Sequence, residues 1–225
     1  MILVINCMLD DKLADSFNKS IQRTADKLGR KVDFLRISQE TEPANISGYS
    51  HVIVSGSEES ATKDKSWDGV LETSIQNIVE QKIPLLGICY GHQFIARTLA
   101  GKQNVRRAEK AEMGWIDIKL SENPLFNDIK SPVCMVSHYD EAFNLPEDFD
   151  VIASSPNCGV HSYRYKKAPV WGVQFHPEYN IEDADEIFDM VKSEDKTFSS
   201  LYSNQLENEE QITQNERVLI NFLSS

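Results

Sequence analysis

A cysteine, a histidine and an acid occur in this chain in settings that suit nucleophilic chemistry. Cys89 lies in Gly87-Ile88-Cys89-Tyr90-Gly91, directly after the apolar run Pro84-Leu85-Leu86. A helix-compatible stretch from Phe94 to Ala100 follows and is closed by Gly101, glycine being the usual residue just past a helix end. A buried strand, a sharp turn and a helix make a nucleophile elbow, here with cysteine in place of serine. Glycines two residues before and two after the nucleophile let the backbone turn where side chains would collide. The sulfur then sits near the helix N-terminus, where unpaired N–H groups and the helix dipole favour a thiolate. A buried structural cysteine beside two turn glycines is the competing reading.

A thiolate needs a partner base, and the base needs an orienting group. Both occur in Gly172-Val173-Gln174-Phe175-His176-Pro177-Glu178. His176 ends the strand-like run from Val170 to Phe175. Residues two apart in extended chain point the same way, so Glu178 can lie along the imidazole, and Pro177 stiffens the link. Taken singly, His176 could be a satisfied strand-end histidine and Glu178 a solvated helix-start acid.

Gly-Ile-Cys-Tyr-Gly-His-Gln and Gly-Val-Gln-Phe-His-Pro-Glu together resemble the two signature blocks of class I, triad-type glutamine amidotransferases. The likeness is strongest to the glutaminase part of GMP synthase and its stand-alone relatives. It runs from Met1 to about Asp183 and resumes in Arg217 to Leu223. The resemblance implies a flavodoxin-like fold, catalytic Cys89, His176 and Glu178, L-glutamine as substrate, no cofactor and no metal. It further implies an oxyanion hole built from the backbone of Gly56, Ser57 and Tyr90, each such donor worth roughly 3–4 kcal/mol. The family loop reads Ser-Gly-Gly-Pro, whereas this chain has Ser55-Gly56-Ser57-Glu58. If position 57 needs a positive φ, serine there costs about 1 kcal/mol or more. Gln93, Ser137, His138 and Tyr139 match substrate-binding positions, the Ser137-His138-Tyr139-Asp140 segment through its backbone. Glu112-Met113-Gly114 resembles a family turn close to the cysteine.

The rest of the composition agrees. A chain of 225 residues can bury a substantial core as one domain. A formal net charge of −12 argues against a nucleic-acid partner, which calls for clustered Lys and Arg. The one basic cluster, Lys102, Arg106, Arg107 and Lys110, is interrupted by Glu109 and reads as solvated surface. Cys7, Cys89, Cys134 and Cys158 are scattered without metal-ligand spacing, which suits a reduced, cytoplasmic chain. His51, His92 and His161 read as structural or surface residues. No stretch approaches membrane-spanning length.

The elements that must carry these residues can be read from periodicity. Strands are expected at Met1–Ile5, Val32–Ile37, His51–Val54 and before Cys89, with helices at 12–28 and 67–81 between them. Such alternation implies a mostly parallel α/β sheet covered by helices on both faces, with a site at the carboxyl ends of its strands. Beyond Gly101, strand candidates at 113–120, 133–137, 149–153, 159–165 and 168–175 give an additional antiparallel portion. A helix at 181–191 precedes a polar segment, 192–216, that reads as a helical insertion before the last helix. A lid, a homodimer contact, a partner-docking element or a solvated hairpin would each suit it. Three functions stay open: a glutaminase delivering ammonia to a separate synthase, a γ-glutamyl peptidase, and a glutamine-binding module without turnover.

Overall fold

The structure is a computed structural model describing residues 1–130 and 132–225. Its first half alternates as the periodicity requires: β1 (Ile2–Asn6), α1 (Asp11–Lys27), β2 (Val32–Arg36), β3 (His51–Val54), α2 (Asp68–Glu80), β4 (Leu85–Ile88) and α3 (Tyr90–Ala100). Each boundary has a local cause. Asp10 caps α1 by accepting from the amides of Lys12 and Leu13, which satisfies donors that a helix start leaves unpaired. Strands β1, β3 and β4 are buried at every position, as continuous apolar strands of a two-faced parallel sheet should be.

The second half runs β5 (Val105–Asp117), β6 (Lys119–Leu120), β7 (Val133–Ala142), β8 (Phe149–Ser154), β9 (Ser162–Tyr165) and β10 (Val170–Val173). It then continues through α4 (Ile181–Glu194), α5 (Phe198–Leu201), β11 (Tyr202–Asn204), α6 (Glu210–Thr213) and α7 (Glu216–Leu223). Eight strands form one sheet in the order β2-β1-β3-β4-β10-β9-β8-β6. The first five are mutually parallel and the remaining pairings are antiparallel. A separate sheet of order β11-β5-β7 carries the rest. The expected α/β architecture with an antiparallel portion is the observed one.

Two readings need correction. The strand expected from Met113 starts earlier: β5 begins at Val105, eight residues before, and takes in Arg106 and Arg107, which pair across from Glu141 and Asp140 on β7. The 192–216 segment is not a helix hairpin. It holds two one-turn helices and the short strand β11, which pairs parallel with β5 from Met113 to Trp115. Phe198 and Ile212 are buried in the same apolar cluster as β1 and β10, so the segment's sparse apolar residues suffice to pin it.

At the centre, the elbow between β4 and α3 depends on two glycines. A Cβ on Gly87 would lie 2.6 Å from the Gly91 carbonyl, and one on Gly91 would strike the carbonyl of Val54. Gly69, in contrast, sits exposed in α2 with nothing within 4 Å of where a methyl would stand. Gly91→Ala should therefore destabilise the protein by roughly 1–3 kcal/mol or more, while Gly69→Ala should stabilise it by about 0.5–1 kcal/mol. Thermal unfolding of the two variants tests this; equal effects would show that the elbow is not sterically closed.

Candidate active site

Four chain segments converge at the carboxyl ends of the parallel strands. Cys89 follows β4 with φ 51° and ψ −105°, a conformation that costs a non-glycine residue about 1–3 kcal/mol. Helix α3 begins at the next residue, four positions before the expected Phe94. Parallel pairing of β4 with β10 matches Ile88 to Val173, and the Cys89 amide donates to the Val173 carbonyl at 2.8 Å. His176 is thereby delivered beside Cys89. Its own amide donates to Met135 of β7 at 2.9 Å, and its ring stacks on Tyr179. Gly56, after β3, marks the meeting point: a Cβ there would lie 3.3 Å from His176 Cε1 and 3.7 Å from Cys89 Cβ.

Glu178 Oε1 is 2.7 Å from His176 Nδ1, and both side chains are buried. Burial by itself would lower the His176 pKa, but the charge of Glu178 and the adjoining Cys89 thiol outweigh it and raise it to about 10. The sequence therefore placed a cysteine, a histidine and an acid that the fold brings together in that order. The Cys89 sulfur is also 3.8 Å from the Ser137 carbonyl.

Gly56, Ser57 and Tyr90 border the cysteine, and no described residue accepts a hydrogen bond from their amides. Ser57 is not among the non-glycine residues with positive φ, so the expected strain of replacing glycine is absent. Its hydroxyl instead donates to the Cys7 carbonyl at 2.8 Å and accepts from the Glu59 amide. Glu58 Oε1 accepts from the amides of Leu9 and Asp10. The two unusual residues of this loop tie it to the segment after β1.

A cavity of about 660 Å³ opens onto Cys89, walled by Ser57 to Ser60, Gln93, Arg107, Ser137 to Asp140, and Val191, Asp195 and Thr197 from the end of α4 and beyond. Gln93 faces it, but its amide nitrogen already donates to the Asp140 carbonyl at 2.7 Å and to Gln174 at 2.9 Å; only its oxygen is left for a ligand. Ser137 and Tyr139 line the wall. The His138 ring points away from the cavity, with Nε2 3.2 Å from Glu112 Oε2 and Nδ1 3.0 Å from the Asp140 carbonyl. Glu112 accordingly turns toward His138 and His161, not toward Cys89. Burial opposes its ionisation, yet hydrogen bonds from His138, His161 and Ser155 hold its carboxyl well below the usual range. A second cavity, about 420 Å³, lies behind Glu178 between α1, α4 and α6 and does not include Cys89.

Sequence reasoning missed Arg107. Its guanidinium lies over the Tyr139 ring, 4.2 Å from the centroid, and 3.6 Å from the Asp140 carboxylate. No described helix is long and apolar enough to cross a membrane.

The profile described as "Glutamine amidotransferase class-I" matches residues 11–191. The chain is 40% identical over 112 residues to a glutamine-hydrolyzing GMP synthase subunit of Pyrococcus abyssi, covering 49% of this chain and 58% of that protein. It is 39% identical over 118 residues to the corresponding subunit of Methanococcus vannielii, covering 51% and 61%. The matched stretch thus spans about three fifths of these curated relatives. A glutamine amidotransferase structure from Methylobacillus flagellatus superposes with a TM-score of 0.80 at 20% identity, over 99% of this chain and 94% of that one. One from Thermotoga maritima gives 0.78 at 19% identity, over 100% and 96%. These structural likenesses speak to the fold.

Thiol labelling reads the geometry directly. Cys7, Cys134 and Cys158 are fully buried, and burial pushes each thiol well above its ordinary pKa. Iodoacetamide should label Cys89 first and the other three only on unfolding, with His176→Ala slowing the Cys89 reaction. Mass spectrometry of partly labelled protein checks it; uniform labelling would refute the elbow's special exposure.

Proposed function

Because the chain belongs to the glutamine amidotransferase class-I family, we propose that it hydrolyses the side-chain amide of L-glutamine through Cys89, His176 and Glu178. The released ammonia would pass to a separate synthase of the GMP synthase kind. The observation that carries this reading is a strained cysteine at the mouth of a cavity, beside an imidazole that a buried carboxylate holds at 2.7 Å. The chemistry follows from the residues. The Cys89 sulfur attacks the amide carbon, and amides of Gly56, Ser57 and Tyr90 stabilise the oxyanion. His176, oriented by Glu178, gives its Nε2 proton to the departing ammonia. It then takes a proton from the water that opens the γ-glutamyl thioester, which regenerates the thiol and releases glutamate.

The relatives' names, each that of one subunit of GMP synthase, support a synthase partner. The cavity's volume, large for glutamine alone, favours as a second reading a γ-glutamyl peptidase on the same triad. Ammonia release from glutamine against cleavage of γ-glutamyl peptides by the purified protein separates the two. Loop geometry weighs against a module without turnover, because Ser57 sits without strain and leaves the loop amides unengaged.

Cys89→Ala should abolish ammonia release while the thermal transition is kept; full turnover in that variant would refute the assignment. His176→Ala and Glu178→Gln should both fall in the roughly 10²–10⁴-fold range of acid–base catalysis, with Glu178→Gln the milder. An equal or larger loss in Glu178→Gln would show that its role is misread.

The raised His176 pKa fixes the sign of a pH effect. The imidazolium is present below about 10 and lost above it, so kcat/KM should fall as pH rises through about 10. Glu178→Gln removes the charge that raises this pKa, and its alkaline limb should move to lower pH. Rate profiles of both proteins measure this, and an unmoved limb would exclude Glu178 as the group that holds the proton.

A further inference from the structure

Behind the wall formed by Ser137 to Asp140, away from the cavity, four buried ligand-type side chains meet. They are Glu112 of β5, His138 of β7, and Cys158 and His161 from the turn between β8 and β9, and their ligand atoms all lie within 4.8 Å of one another. The mechanism uses none of them. Cys158-Gly159-Val160-His161 has the short spacing that lets two ligands share one turn.

The hydrogen bonds around the cluster say what belongs in it. His138 Nδ1 faces the Asp140 carbonyl at 3.0 Å, an acceptor only, so that nitrogen carries the proton. Its Nε2 then faces a carboxylate oxygen at 3.2 Å. His161 Nε2 approaches the same Glu112 oxygen at 2.7 Å. Its Nδ1 has no partner among the described residues, so the short contact with the carboxylate places that ring's proton on Nε2. Glu112 is held from behind by the Ser155 hydroxyl on Oε1 at 2.7 Å. A carbonyl on the far side of a ligating imidazole and a hydroxyl on a ligating carboxylate are the supports that metal sites use.

From this convergence we infer that Glu112, His138, Cys158 and His161 form a closed, four-ligand site for a divalent transition metal of the zinc type. One sulfur, two imidazole nitrogens and one carboxylate oxygen suit zinc and do not suit magnesium or calcium. Tetrahedral bonds of about 2.0–2.3 Å place ligand atoms roughly 3.5 Å apart, so the longest separation must shorten by about 1 Å. The Cys158 thiol and any proton held on the Nε2 atoms leave as the metal enters. With every position taken by protein, the ion is structural: it ties β5, β7 and the β8–β9 turn together behind the glutamine-side wall.

The 225-residue protein expressed with added zinc, and separately with added cobalt, tests the site by metal analysis and absorption. The expected result is about one zinc per chain. The cobalt protein should show the strong visible bands of a tetrahedral ion and a near-ultraviolet thiolate band. Both should persist in Cys89→Ala, which excludes the other buried Cys–His–Glu set as the ligand source. Roughly tenfold or greater loss of metal is expected in Cys158→Ser and in His161→Gln. Metal content below about a tenth of an equivalent in the wild type, metal retained in both ligand variants, or metal lost in Cys89→Ala would each overturn the inference. The cobalt spectra of the wild type and Cys89→Ala decide the matter even if the ligand variants fail to fold. A failed result leaves the glutaminase reading untouched, since that is read from ammonia release.

Discussion

The Cys89 amide donates to the Val173 carbonyl, and through that bond the end of β4 is locked to the end of β10. Everything at the site inherits its position from this parallel pairing. Cys89 stands one residue past its strand, His176 three residues past the matching one, and Glu178 two further on. Parallel strands cannot be joined by a tight turn. Here the connection is the whole excursion from α3 through β9, which builds the antiparallel end of the main sheet, two strands of the second sheet and the wall that faces Cys89. Nucleophile and base are therefore brought together by a long-range pairing, the kind of contact whose loop closure slows folding.

That lock also carries strain. Cys89 keeps a backbone conformation costing about 1–3 kcal/mol, and it persists because Gly87 and Gly91 admit neighbouring backbone where a methyl would not fit. The loop after β3 is held in a different way. Ser57 and Glu58 reach back to Cys7, Leu9 and Asp10, so polar side chains fix the amides of Gly56 and Ser57 where a Gly-Pro pair would rely on backbone restriction. Preorganised donors lose little on reorganisation when charge develops in front of them. The departure from the family pattern exchanges one means of rigidity for another.

How much of this was legible depended on how local its cause was. The parallel half could be read because β1, β3 and β4 are continuous apolar runs and α1 has a cap and an apolar stripe. The elbow and the His–Glu pair could be read because each spans a few adjacent residues. The start of β5 was hidden because Arg106, Arg107 and Lys110 look like loop; they are tolerated in a strand because Glu141 and Asp140 on β7 stand opposite. β11 was hidden because three polar-flanked residues have no period, and only their pairing with Met113 to Trp115, with Ser203 close against Gly114 (φ 109°), defines it. Gln93 lines the cavity, but its partners Asp140 and Gln174 come from distant parts of the chain, so its spent donors could not be foreseen. The Glu112 cluster draws on three separate elements, so the sequence showed Cys158 only as a scattered cysteine and His161 as a structural or surface residue.

The two ends of the chain lie together. The Met1 amino group reaches Ser50 Oγ, Arg30 bonds the Leu223 carbonyl and Ser50, and His51 packs edge-on against Phe222. Residues 1, 31 and 50 stand at the entry edge of the parallel strands, whereas Cys89 stands at the exit edge, roughly 15 Å away along a strand of this length. Any polypeptide fused at either terminus would emerge on the rim remote from the reactive thiol. Such a tether leaves the mouth of the cavity open to a docking protein, and two different fusions, one at each end, would compete for the same corner of the surface.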